Sequence, residues 1–177
     1  MTDDNVTRAE EARKRGNELY KQGNLGQGEF SYSALFKKLH VVLTLEPPSA
    51  ETAYKLAATL APEDPTPHSN LSSVKFELGQ YSAAIDFINK TLKLANDVPA
   101  VDEAAQRKRT ALYTRLAKSY VYECQFDKAR EAIKRVPDGE LKSAVDSTID
   151  RCEAWMTSDH SHRKLVLDRV PRYNAHL

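Results

Sequence analysis

Between Asn70 and Leu94 apolar residues recur every three or four positions, in two short blocks. Leu71, Val74 and Leu78 make the first block; Ala84, Ile85, Ile88, Thr91 and Leu92 make the second. That spacing puts each block on one face of a helix. Gly79-Gln80 interrupts the pattern, and a glycine there can take the left-handed conformation that ends a helix. Tyr81 can wedge between the two helices. Ala83 and Ala84 are small where the backbones must come close.

The same period marks much of the remaining chain. Ala9, Ala12, Leu19 and Tyr20 predict a helix from Thr7 to about Gln22, with Thr7 and Glu10 as a capping box and Gly16 as a point of close approach. Gly23-Asn24 ends it. A second helix is predicted over residues 49–60. Thr66-Pro67 supplies an N-cap and a first-turn proline for the next. A long helix is expected from Ala100 to Glu123, with Leu112, Leu116, Ala117, Tyr120 and Val121 as its apolar stripe. A shorter one spans Phe126 to Val136 and stops at Pro137. Asp138 is the expected cap of a further helix, with Leu141, Ala144, Val145, Ile149, Cys152 and Trp155 on one face. After a polar break at 157–160, residues Arg163 to Arg169 are expected to form a last short helix.

These helix pairs resemble tetratricopeptide repeats (TPRs). The unit of that family, about 34 residues long, places Leu, a small residue, Gly, Tyr, Ala, an aromatic or aliphatic residue, Ala and Pro at fixed offsets. Leu71, Ser72, Gly79, Tyr81, Ala84 and Ile88 fill the first six slots, and Thr91 and Asn96 stand in the last two. Leu116, Ala117, Phe126, Ala129 and Ile133 repeat the pattern, with Cys124 where Gly is usual. In the first unit Gly16, Gly23 and Leu25 hold the places of Ser72, Gly79 and Tyr81. The tail segment from Arg169 to Tyr173 resembles segments that join TPR blocks to larger C-terminal regions in uncharacterised fungal proteins.

The first unit then breaks. Its Ala slot falls on Gly28, and residues 28–49 match no repeat position. Omitting those 22 residues puts Ala50 in the Ala slot and Tyr54, Ala57 and Pro62 in the last three. Residues 28–49 are therefore a non-repeat insertion, read as a translated retained intron. As protein they are expected to form a poorly fixed excursion with a short helix near Ser33 to His40.

Composition narrows the function. A formal charge of +1 over 177 residues argues against a dedicated nucleic-acid binder. No apolar run is long enough to span a membrane. Cys124 and Cys152 sit in predicted helices and, with no secretory signal in view, are expected to be reduced and half-buried. No Gly-rich phosphate loop, nucleophile elbow or zinc-spaced Cys/His set occurs, so neither an enzyme nor a cofactor is expected. His160-Ser161-His162 lacks the further ligands that a metal site needs.

The TPR resemblance also implies a site. The first helices of the units line a concave groove. In carboxylate-clamp co-chaperones that groove holds the acidic C-terminal end of a cytosolic heat-shock chaperone. Desolvating a dianionic peptide end requires several charge-assisted donors to converge. Arg13 falls in the first basic slot of that pattern, Asn17 in the first Asn slot, Asn70 in the second and Arg115 in the Arg slot of the third unit. The third-unit Lys slot holds Ala111, and Lys118 lies a turn from the groove face.

The fold expected is all-α: a right-handed TPR superhelix of three helix pairs plus a C-terminal covering helix over residues 7–156, with 157–177 as a tail that reads as unfinished. The function implied is protein–protein binding of an extended acidic C-terminal peptide in the cytoplasm, with the nucleus also open to it. The competing reading is an N-terminal docking module of a larger enzyme or scaffold.

Overall fold

The computed structural model describes residues 3–26, 49–95 and 102–158. The expected short helices at Ser33 to His40 and Arg163 to Arg169 lie outside the described residues.

Helix α1 spans Asp3–Lys21. It starts ahead of the expected capping box because Asp3 and Asp4 place negative charge in its first turn, where the helix dipole favours it. Thr7 is thus inside the helix, its hydroxyl donating to the Asp3 carbonyl at 3.1 Å. Helix α2, Ala50–Leu60, is capped by Ser49, whose Oγ accepts from the Thr52 amide at 3.2 Å. Helix α3, Pro65–Glu77, is capped by Asp64 rather than by Thr66: Asp64 Oδ1 accepts from the Thr66 amide at 2.8 Å. Pro65 then takes the first helical position, where its missing N–H costs nothing.

Helix α4 covers Tyr81–Leu94. Helix α5, Glu103–Tyr122, starts from the Asp102 cap, which accepts from the Ala105 amide at 2.6 Å. Helix α6, Phe126–Ile133, is shorter than the expected span to Val136. Helix α7 is Glu140–Thr157. Asp138 does not cap it: Gly139 holds the N-cap position, and Asp138 accepts from Lys142 Nζ at 2.7 Å.

Three turns join first to second helices, and their backbones are alike. Gly23, Gly79 and Cys124 all have positive φ, at 78°, 72° and 56°. The residue after each donates back to the carbonyl five positions earlier: Asn24 to Leu19 at 2.9 Å, Gln80 to Lys75 at 2.8 Å, Gln125 to Tyr120 at 2.8 Å. This is the Schellman pattern, which satisfies carbonyls the helix end would otherwise leave open.

Each helix packs on its sequence neighbours: α1 on α2, α3 on α4 and α5 on α6 within pairs, α2 on α3 and α4 on α5 between them. Leu19, Ala50, Tyr54, Leu71 and Val74 form the N-terminal core. Ile85, Ile88, Leu112, Leu116, Ala117, Ile133, Val145 and Ile149 belong to the larger C-terminal one. Tyr81 does fill the wedge position, stacked on Tyr122 at 4.1 Å and edge-on to Phe76. Helix α7 covers the end of the stack through Val145 and Ile149, and Arg130 of α6 ties to its Asp150 at 3.0 Å. Leu141 and Ala144 are exposed, so the buried face of α7 is narrower than its sequence stripe. Cys124, expected half-buried, is exposed; Cys152 is partly buried, and both are free thiols. The fold is an all-α TPR superhelix of three helix pairs with a C-terminal covering helix.

Candidate functional site in the groove of the first helices

The predicted groove residues come from α1, α3 and α5. Asn17 Oδ1 accepts from Asn70 Nδ2 at 3.4 Å, bringing the two Asn slots together across adjacent units. The same oxygen accepts a shorter bond, 2.8 Å, from the Tyr54 hydroxyl. Tyr54 can reach it because Gly16 has no side chain: a Cβ there would lie 2.4 Å from the Tyr54 ring. The glycine therefore seats the ring, and the ring orients the amide.

Tyr54 was legible as a repeat residue but not as a groove-supporting one. The available signal was its hydroxyl, standing in a slot that holds Ile88 and Ile133 in the other units. Burial, with neighbouring Tyr20, pushes the Tyr54 phenol up to about 12 despite the opposing charge of Arg13. It is thus a neutral donor at all working pH values. Arg13 is close enough to act on that ring, while its own Nη2 donates to Glu10 Oε1 at 3.0 Å. Glu10 is exposed and Arg13 half-buried, so the pair is a near-surface one of small worth.

Arg115 differs. Its Nη1 donates to Ser72 Oγ at 3.1 Å, the one hydrogen bond of its guanidinium among the described residues. Burial pushes the guanidinium down from its ordinary value, while Tyr20 and Glu77 act the other way. Glu77 is exposed and near enough to influence both Arg115 and Tyr20, so the pocket is not free of acid. Ala111, in the Lys slot, and Lys118 are both exposed. His160 and His162 lie outside the described residues.

Behind the groove, Glu51 joins the first two units. Its Oε1 lies 2.6 Å from Lys55 Nζ and 2.7 Å from Lys75 Nζ, and Lys75 also donates to Gln80 Oε1 at 2.7 Å. Glu51 and Lys75 side chains are only 11% and 13% exposed.

No family model matches the chain, and no curated protein does. Among solved structures, the N-terminal domain of stress-induced protein-1 (STI-1) from C. elegans is similar at a TM-score of 0.57 and 18% identity, covering 82% of this chain and 98% of that one. The TPR2B domain of yeast Sti1, solved in complex with pHsp70, is similar at a TM-score of 0.51 and 21% identity, covering 83% and 94%. Both likenesses are of fold, and that fold is the TPR superhelix.

Proposed function

We propose that the chain is a protein-interaction module whose groove takes the acidic C-terminal end of an extended peptide, with Arg13, Asn17, Asn70 and Arg115 as its contacts. The observation that carries this reading is Arg115. A desolvated guanidinium with a single neutral hydroxyl partner has donors left to offer, and a carboxylate suits them better than any neutral group. Asn17 and Asn70, already held side by side, would supply amide donors as well. Arg13 would leave its weak surface pair with Glu10 to join them.

The likeness to a domain solved with pHsp70 makes a cytosolic heat-shock chaperone tail the first peptide to test, and the cytoplasm the compartment this reading implies. With Ala111 in place of a lysine, and with Glu77 near Arg115, the expected affinity is micromolar or weaker and falls with salt.

The test is calorimetric titration of an acidic chaperone-tail peptide against the wild type, Arg115→Ala and Asn17→Ala, beside the same peptide with an amidated C-terminus. A charge-assisted hydrogen bond contributes about 1.5–3 kcal/mol, so Arg115→Ala should weaken binding about tenfold to a hundredfold. Thermal melts of each variant separate lost binding from lost folding. Binding that ignores both the amidation and the substitutions would remove the clamp and leave a TPR groove with another ligand.

A further inference from the structure

The backbone on either side of residues 28–49 continues as if they were not there. The Ala50 amide donates to the Asn24 carbonyl at 2.7 Å. In the second unit the Ala84 amide donates to Gln80 at 3.0 Å, and in the third Ala129 donates to Gln125 at 3.0 Å. Asn24, Gln80 and Gln125 each follow the turn residue with positive φ. The bond that spans four residues in two units thus spans twenty-six in the first, between the same pair of positions. The next rung agrees: Glu51 donates to Leu25 at 3.0 Å, as a helix residue does to the one four before it. Ala50, Ala84 and Ala129 are all completely buried, so the three occupy one structural slot.

The break is also in an odd place for a loop. Ala84 and Ala129 are each the fourth residue of their helix. By register the chain therefore departs at a position that lies inside the first turn of the second helix in the other two units, whereas here that helix begins only at Ala50, with Ser49 as its cap. It departs at Gly26, with φ 148°, where Ser82 and Asp127 of the other units are helical. An inserted loop is selected to respect such a boundary. A splice junction obeys nucleotides and is indifferent to it.

We infer that residues 28–49 are the translation of a 66-nucleotide intron kept in the message, and that the working protein is the 155-residue chain left when these 22 residues are removed from the 177. The codons allow it. Gly28-Glu29-Phe30 can be written GGT GAG TTC, which contains the 5′ splice signal GTGAGT. Leu43-Thr44 can be written CTG ACN, which suits a branch point. Ser49-Ala50 can be written TCA GCN, which contains the 3′ signal CAG. Twenty-two codons keep the frame. The first base of the Gly28 codon joins the last two of the Ala50 codon, and G with CN encodes alanine, the residue that the slot holds in the other two units. Gln27 then stands where Ala83 stands in the second unit. The inference is independent of what the groove binds.

Sequencing the gene and its messages across codons 24–54 tests it. The expected result is GT at the last two bases of codon 28, AG across codons 49 and 50, and a message shorter by the intron with GCN at the junction. A gene lacking these bases, or a message pool that keeps them in every copy, overturns the inference. A second arm compares the full chain with the 155-residue chain by thermal melting and helix content. The shorter chain should melt cooperatively at the same or a higher temperature. A lower melting temperature, or loss of cooperativity, would make the segment part of the fold and overturn the inference at the protein level.

Discussion

The two ends of the stack are held by different physics. The C-terminal core is aliphatic, with Ile88, Ile133, Val145 and Ile149 almost wholly buried among leucines and alanines. The N-terminal core is small and is supplemented by directional bonds: the Tyr54 hydroxyl on Asn17, and Glu51 between Lys55 and Lys75. Apolar burial is nondirectional and tolerates many side chains, whereas a hydrogen bond fixes the rotamers of both partners. The polar end is therefore the one that orients Asn17, and the aliphatic end is the one that holds the stack shut.

Substitutions should separate the two. Ile149→Ala removes a fully buried side chain from the aliphatic core, and such truncations cost about 2–5 kcal/mol. Denaturant melts should show that loss while Asn17 and Tyr54, far along the stack, keep their bond. Glu51→Gln takes the charge from an ion pair linking the first two units, and loss of a charge-assisted bond suggests about 2 kcal/mol.

Burial alone would raise the Glu51 carboxyl, but the bonds from Lys55 and Lys75 outweigh it and hold it below its ordinary value. Its contribution is thus complete above the unfolded-state value of about 4.5 and is lost as pH falls through the lower folded value. Wild type and Glu51→Gln should therefore converge in stability as pH falls through that lowered folded value, and a gap that persists below it would deny the ion pair its role. Tyr54→Phe is the smallest change, about 1 kcal/mol in stability. Its sharper readout is the Asn17 side-chain amide resonance, which should shift and broaden once the hydroxyl is gone.

The sequence carried the helix pairs well because a period of three to four apolar residues is read directly from side chains. It carried the caps poorly. Asp64 and Thr66 are both good N-caps, and only the placement of Pro65 at the first helical position decides between them. Thr7 satisfied a capping box in sequence, yet the acidic pair before it moved the start of α1 to Asp3. In the site, the slots of Asn17 and Asn70 could be named from the repeat register alone. Their support could not: Gly16 and Tyr54 are 38 positions apart in sequence, and the register of the first unit is hidden until residues 28–49 are set aside.

Cys124 sits in the left-handed turn position where the first two units use glycine. At Gly23 and Gly79 a Cβ would meet nothing within 4 Å, so this corner of the repeat has open space outside it. A thiol there is exposed, whereas burial pushes the Cys152 thiol up and away from its reactive form. The third turn is thus a natural attachment point for a single fluorophore or spin label, next to the C-terminal end of the helix that carries Arg115. The repeat has left one corner of its backbone without a packing duty, and chemistry can use it without disturbing the stack.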